Sequence, residues 1–423
     1  MKQHKYLPFI GLLFIAPMWG HAQTAQELYS QAAQENAVRN FVRAIELCEQ
    51  AIMIKKDFAE AYNELGIALG STGKFDKEIE AYKTAIQYRE NYAAAWSNLG
   101  SAYTVKGEHD NALAAHNRAV EIEPMRPESY FNLGVTYSAR QEFYKALDSY
   151  RKAAALNPKS EAPWFNIGAV YSTLGNYDDA ISSYKRACEL APQSADAARN
   201  LGNAYMNAGN VVQAAEQYWV AVDLRPDYAE AWNNLGLALY MQMKNNDAIS
   251  ALKKAVEYKP NYAEAHFNTG LVLADMQDYA GAITAYDRAT ERQKDFAKAY
   301  LNKGIAYNAL RQYEKALFEF MTAMSYAPKD PVIVYNTGLA HFNRNDTNRR
   351  DLEVSATYFM KAAELNNSYA NAHYSLGIVY GLLDRAKDKI LCFQRAAHFG
   401  NKQAQEWLTK IGQEWEVITD EKK

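Results

Sequence analysis

The chain is predicted to be an all-α solenoid of stacked helical hairpins, and three observations predict it. Gly66, Gly100, Gly134, Gly168, Gly202, Gly236, Gly270, Gly304 and Gly338 recur every 34 residues, and a period between about 20 and 50 residues is the signature of a stacked array. Each period holds two apolar-periodic segments at helical spacing, for example Ala231 to Met241 and Asn246 to Tyr258, split by a polar turn. Pro124, Pro158, Pro192, Pro226, Pro260 and Pro328 close the periods, with Lys294 standing in once. Helices this short are marginal alone, so they persist only by packing. Small residues mark the close approaches: Gly236, Ala248 and Ala255 in one unit, with alanines in register from Ala85 to Ala323 and from Ala112 to Ala316. A mid-helix glycine costs about 1 kcal/mol against alanine. Its recurrence implies that another helix passes where a side chain would be.

Taken in order, residues 1–22 differ from the rest. Lys2 and Lys5 precede an apolar run from Tyr6 to Trp19, followed by Gly20-His21-Ala22. These are the three parts of a secretory signal peptide, with cleavage after Ala22, and the run is short for a membrane span. The expectation is an exported chain, periplasmic or secreted, with no membrane span after cleavage. Removal of two lysines and no acid moves the formal charge from −3 to −5; a mildly acidic chain without a basic run is a poor nucleic-acid binder. Residues 23–58 form an atypical first unit, in which Ala32 replaces the glycine while Ala44 and Ala51 keep register. Ten units fill residues 59–402, starting at Ala59, Ala93, Pro127, Glu161, Ala195, Ala229, Ala263, Ala297, Pro331 and Ala370. One break interrupts them. Gly338 and Gly377 are 39 residues apart, and the five extra residues fall within Asn343 to Arg350, as a lengthened turn or an extended second helix. Residues 403–423 are a capping helix and tail, the helix running to 416 with Trp407 and Trp415 covering the last unit's apolar face.

Trp96, Leu99, Gly100, Tyr103, Ala112, Ala119 and Pro124, and again Trp164, Gly168, Tyr171, Ala180, Tyr184, Ala187 and Pro192, resemble the pattern of the tetratricopeptide repeat family. The resemblance implies a right-handed superhelical solenoid of about eleven helix-turn-helix repeats, its concave wall lined by first helices and offered to protein or peptide partners.

Two residues before each glycine stands a second series: Asn98, Asn132, Asn166, Asn200, Asn234, Asn268, Asn302 and Asn336. At about 100° per residue, Trp232, Leu235, Gly236 and Leu239 share one face and Asn234 lies roughly 150° from its centre, beside Glu230, Leu237 and Met241. The ladder therefore points away from the packed face. Two readings stay open: the amides bond a neighbouring repeat and set its pitch, or they engage the backbone of a guest polypeptide through two donors and an acceptor. An uninterrupted ladder is similar to that of the repeat domain of O-linked N-acetylglucosamine transferase, where the resemblance implies a hold on substrate backbone; that enzyme's catalytic domain has no counterpart here. Phe131, Phe165, Phe267, Leu301, Tyr335 and Tyr374 precede the ladder position, several followed by Val135, Leu271, Ile305, Leu339 or Ile378. They either line a groove for apolar side chains or are half-buried between repeats. Glu60, Glu128, Asp196, Glu230 and Glu264 begin first helices, where they meet the helix dipole. Arg199, Asn203 and Asn234 match part of the carboxylate clamp of chaperone-binding repeats, but Glu264 and Asn268 stand where the family has basic residues. The clamp is incomplete.

No catalytic constellation, metal set or cofactor motif emerges. Gly70-Ser71-Thr72-Gly73-Lys74 lacks the spacing of a phosphate loop and falls in an ordinary turn. His116, His266 and His373 replace large packing residues. Cys48, Cys188 and Cys392 are far apart in apolar helical contexts and read as free thiols. The expected function is a non-catalytic, exported scaffold that binds polypeptide segments in the concave groove. The alternative is a regulatory or substrate-presenting subunit of a cell-envelope enzyme, docking through its ends or convex face.

Overall fold

A computed structural model describes residues 23–344 and 348–415; the signal-peptide expectation for residues 1–22 and the tail after 415 lie outside the described residues. Among those residues there are 23 helices and no strand. They alternate between first helices such as Ala229–Met241, of 13 residues, and second helices such as Asn245–Tyr258, of 14. The chain divides into two units, one ending at Leu174 and one beginning at Gly175. The fold is all-α, and within each unit a first helix packs on its own second helix and that second helix on the next first helix.

Most of the repeated glycines are explained by a ring of the second helix, and Gly236 by a leucine together with the Ala248 carbonyl. A Cβ added to Gly134 would lie 2.5 Å from the Tyr150 ring, and one on Gly304 would lie 2.5 Å from Phe320. Gly66, Gly202 and Gly270 meet Tyr82, Tyr218 and Tyr286 in the same way, Gly236 meets Leu252, and Gly100 meets His116. The second helix of each of these repeats thus drives one large side chain, 16 residues after the glycine, flat against the first helix. The backbone cost of glycine is offset by burying that side chain: Tyr150, Tyr218, Tyr286 and Phe320 are among the largest fully buried groups. The alanines in register, Ala248 and Ala255 among them, are completely buried.

Between the two helices, the chain commonly turns through the left-handed region. Glycine serves at Gly73, Gly107, Gly175 and Gly209, but Gln141, Met243, Gln277, Arg311 and Asp384 adopt the same positive φ at some cost in backbone strain. Gly73 and Lys74 of the stretch singled out above belong to such a turn. In the longer repeat the first helix is Pro331–Asn343 and the second is Arg349–Leu365, 17 residues long against 14 in Asn245–Tyr258. Three of the five additional residues therefore extend the second helix, while residues 345–347 lie outside the described residues. Asn348 caps the longer helix, its side-chain oxygen accepting from the Arg350 N–H at 3.1 Å.

At the N-terminal end, Thr24 and Glu27 form a reciprocal capping box on the first helix. At the other end the final helix is Lys402–Lys410, shorter than the expected run to 416. Gly412 takes φ +69 and the Gln413 N–H bonds back to the Leu408 carbonyl, which closes the helix. Trp407 still stands edge-on to Phe393 at 4.7 Å, and Trp415 packs on the same cluster.

A second polar device ties several first helices to the turn before them. Trp96 and Trp232 donate their indole N–H to the carbonyls of Glu90 and Pro226, both at 2.8 Å. His266 and His373 occupy the equivalent position, and Nε2 of each lies 3.2 and 2.8 Å from the carbonyls of Pro260 and Asn367. Burial holds both imidazoles below the usual histidine pKa. The neutral Nε2–H form then does what tryptophan does elsewhere.

Candidate functional site

All eight ladder asparagines are half-buried, and each donates one hydrogen bond from Nδ2. What they donate to divides them. Asn98 reaches Asn63 Oδ1 at 2.9 Å, Asn132 reaches Ser97 Oγ at 3.0 Å, and Asn268 reaches Asn233 Oδ1 at 2.9 Å. Each acceptor lies 35 residues earlier, on the preceding first helix. Asn166, Asn302 and Asn336 instead turn back to carbonyls of their own helix, those of Ala162, Lys298 and Val332, at 2.8 to 2.9 Å. The residues at that same earlier spacing are Phe131, Phe267 and Leu301, which offer no acceptor. Asn200 likewise bonds the Asp196 carbonyl at 2.9 Å. In these seven repeats an amide bridges where the earlier side chain offers an acceptor and turns back to its own helix where it does not. Ser375, at the ladder position of the tenth repeat, also bridges, its hydroxyl lying 3.2 Å from the Tyr335 hydroxyl.

Asn234 is the most committed member. Arg199, a pure donor, stands at the earlier position, so Asn234 Nδ2 reaches Asn203 Oδ1 at 3.0 Å. Asn203 Oδ1 also accepts from the Tyr218 hydroxyl at 2.8 Å, and Asn234 Oδ1 accepts from Asn233 Nδ2 at 3.2 Å. A continuous chain of polar groups runs from Tyr218 through Asn203, Asn234 and Asn233 to Asn268, across three repeats. Asn203, Asn234, Leu237 and Met206 line a cleft of about 240 Å³ there. The sequence pattern places Asn203 at this wall but passes over Asn233, Ser97 and Asn63, although their spacing from the ladder is present in the chain.

The apolar neighbours are half-buried between repeats. Phe267 packs on Tyr286 and Phe296, with ring centroids 5.8 and 4.9 Å apart, and Tyr335 packs on Phe359 and Tyr369 at 5.4 and 5.1 Å. Phe131 packs on Tyr150 at 5.6 Å. Phe165, Tyr374 and Leu339 are also partly covered, and Leu301 is buried. Val135 and Ile305 keep 36% and 39% of their surface exposed, so the open apolar lining lies with them rather than with the rings. Arg199 lies over the Tyr228 ring at 5.4 Å.

The acids at the helix starts do more than meet a dipole. Asp196 accepts from Arg225 at 2.7 Å and from the Tyr228 hydroxyl at 2.5 Å, and Glu230 pairs with Lys259 at 2.6 Å. Glu60 pairs with Arg89, and Glu128 lies 3.6 Å from Arg126. Hydrogen bonds from Arg225 hold Asp196 below the usual carboxylate range, and Lys259 does the same for Glu230. Such a carboxylate fastens the start of a first helix to the end of its own second helix. Glu264 remains exposed.

Among the described residues no group of three or more His, Cys, Asp or Glu side chains is placed to hold a metal, and no helix is long and apolar enough to cross a membrane. Cys48 and Cys392 are buried free thiols, pushed by burial up to about 12 and about 11, and Cys188 is free and half-buried.

No curated protein matches the chain. Among solved structures, MamA is 31% identical with a TM-score of 0.37, over 40% of this chain and 92% of that one. YrrB, described as a TPR protein with an unusual peptide-binding site, is 24% identical with a TM-score of 0.39, over 44% of this chain and 96% of that one. A tetratricopeptide repeat protein from Parabacteroides merdae is 19% identical with a TM-score of 0.44, over 60% and 100%. A TPR repeat model matches residues 101–139, 173–209, 202–242 and 244–277, and tetratricopeptide repeat models match 59–92, 127–160 and 270–331. With those matches falling on the same helix pairs whose glycines, alanines and aromatic residues pack in register, the chain belongs to the tetratricopeptide repeat family.

Proposed function

We propose that the protein is an exported, non-catalytic scaffold that holds extended polypeptide segments along the asparagine-bearing faces of its first helices. One observation carries the reading. Among the described residues the carboxamide oxygen of every ladder asparagine except Asn234 receives no hydrogen bond from the protein, and each Nδ2 has a second N–H to give. Half-buried amides with an open acceptor and a spare donor suit the N–H and C=O groups of a passing main chain, whatever its side chains. Val135 and Ile305 would add apolar contact beside them. The family's role in protein interaction agrees with this reading, and the partner is a protein or peptide.

The test uses Asn200, Asn302 and Asn336, whose own bonds go only to their own helices. Replacing all three with Ala leaves the fold intact, since alanine is the better helix former. Peptides selected against the wild-type chain from a random display library should bind the triple variant at least about fivefold more weakly by fluorescence anisotropy, the loss expected from removing even one net hydrogen bond. Undiminished affinity would mean that the ladder does not hold the guest. Export is tested separately by N-terminal sequencing of the mature protein, with Gln23 as the expected first residue.

A further inference from the structure

The residue eight before each repeat glycine is aromatic in six repeats: Phe58, Tyr92, Tyr228, Tyr262, Phe296 and Tyr369. In four of them the ring packs on the residue three before the glycine position of the preceding unit, while Tyr92 and Tyr262 lie under Arg89 and Lys259. Tyr29 with Phe58, Phe267 with Phe296 and Tyr335 with Tyr369 have centroids 5.2, 4.9 and 5.1 Å apart, and Arg199 covers Tyr228 in the same way. In the repeat that contains Gly168 this position is Ser160. The partner ring, Phe131, is present and keeps its other contact with Tyr150 at 5.6 Å. Phe267 therefore sits between two rings, whereas Phe131 has one ring and a hole.

The hole is a cavity of about 140 Å³ lined by Pro127, Glu128, Phe131, Ala153, Ser160 and Pro163, among others. The pocket is half open to solvent, with Glu128, Asn157 and Ser160 on its polar side and Phe131, Ala153 and the prolines on its apolar side. The backbone at Ser160 turns as it does in the filled repeats. Its N–H bonds the Asn157 carbonyl at 3.2 Å, as Tyr228 bonds Arg225 at 3.1 Å and Tyr262 bonds Lys259 at 3.0 Å. Only the ring is missing. The site also has a polar end. Where Tyr228 fills its socket, its hydroxyl donates to Asp196 at 2.5 Å, and the residue in the corresponding place beside Ser160 is Glu128. Glu128 is exposed and held loosely by Arg126, at 3.6 Å.

We infer that this socket receives a tyrosine side chain from the guest polypeptide, its ring on Phe131 and its hydroxyl donating to Glu128. The inference rests on the reading of the chain as a polypeptide-binding scaffold and supplies a side-chain preference for it. An intramolecular example gives the chemistry directly: an equivalent socket already holds Tyr228 through a cation above the ring and a carboxylate at its hydroxyl. Phe131 immediately precedes Asn132, so a tyrosine seated here would belong to a segment whose main chain runs along the ladder.

The probe is p-cresol, the tyrosine side chain without its backbone, with toluene as the comparison, added to the full chain and followed by methyl and aromatic NMR. p-Cresol should saturate shifts at Phe131 and Ala153, and bind about fivefold more tightly than toluene because of one additional hydrogen bond. Ser160→Tyr, which fills the socket from within, should abolish both titrations while keeping or raising the melting temperature. Glu128→Ala, at an exposed position, should reduce p-cresol to the affinity of toluene. Absence of shifts at Phe131 and Ala153, or p-cresol binding undiminished in Ser160→Tyr, would overturn the site. Equal affinity for toluene and p-cresol in the wild type would overturn the assignment to tyrosine. The Asn200, Asn302 and Asn336 triple variant separates the two readings: it keeps the socket, so failure of the ladder leaves p-cresol binding unchanged.

Discussion

The repeats of Gly236 and Gly304 share a backbone plan but are joined to their neighbours by different chemistry. Around Gly236 the joint is made of amides: Asn233 gives to Asn234 and accepts from Asn268, one repeat further. Around Gly304 the amides turn inward, and charge makes the joint. Lys303 stands where the Gly236 repeat has Leu235, and Glu319 where it has Ala251. The Lys303 side chain is only 11% exposed, with Nζ 2.6 Å from Asp287 on the preceding repeat and 2.7 Å from Glu319, whose side chain is 6% exposed. Despite the desolvation that opposes it, the two carboxylates raise the lysine pKa. The pair shows that one helical plan accepts either a neutral or an ionic link, provided both halves of the link change together.

Breaking the ionic joint should have the largest effect. Lys303→Leu strands the Glu319 carboxylate, one oxygen of which already lacks a partner, and should cost about 3–5 kcal/mol in urea unfolding. The double variant Lys303→Leu/Glu319→Ala, which restores the pairing of Leu235 and Ala251, should recover most of that loss. A double variant as unstable as the single one would show that the loss comes from the missing Lys303 contacts, the one to Asp287 included, rather than from a stranded Glu319.

A third repeat sharpens the contrast through the side chain beneath the glycine. His116 fills the place of Phe320 and Leu252, is fully buried, and neither ring nitrogen has a partner among the described residues. Burial lowers its pKa to about 4. The unfolded chain therefore binds this proton first, so stability is intact above about pH 6.5 and falls as pH drops towards 4, by on the order of 3 kcal/mol. His116→Phe should remove that part of the pH dependence of unfolding, whereas an unchanged profile would place the acid sensitivity elsewhere.

Next in size is the glycine itself. Gly304→Ala puts a Cβ 2.5 Å from the rigid Phe320 ring, while Gly236→Ala puts one 2.6 Å from Leu252, a smaller side chain than the ring, and 3.2 Å from the Ala248 carbonyl oxygen. Both should destabilise, by about 1–3 kcal/mol, with the melting temperature falling further at Gly304. The smallest effects concern the amides. Asn233→Ala removes two bonds between side chains and should cost about 1–2 kcal/mol. Asn302→Ala should stay within about 0.5 kcal/mol, because the lost bond to Lys298 is offset by helix propensity. Equal costs would mean that bridging amides do not couple repeats.

These differences mark where the sequence is legible. Glycine period, alanine register and proline spacing predict the helix pairs, and the helix starts from Ala59 to Ala370 fall within a residue of those expected. Asn234 does lie off the packed face, yet it is the ladder member with least to offer a guest. Its bonds depend on Asn203 and Asn233, which meet it only once two helices are stacked. The division of the ladder is written one residue out of phase with the period, and is easily missed beside it. The paired change at Lys303 and Glu319 escapes a reading of the sequence because each residue alone reads as a solvated charge.

The sequence by itself determined that this protein is a linear array of helix pairs, because a period and its small residues are properties of the chain that need no partner to be read. Tertiary structure alone decided which glycine is pressed by which ring, which amide is open, and that the place left by Ser160 is a socket. Those are properties of pairs of residues on different helices, and only packing brings the members of each pair together.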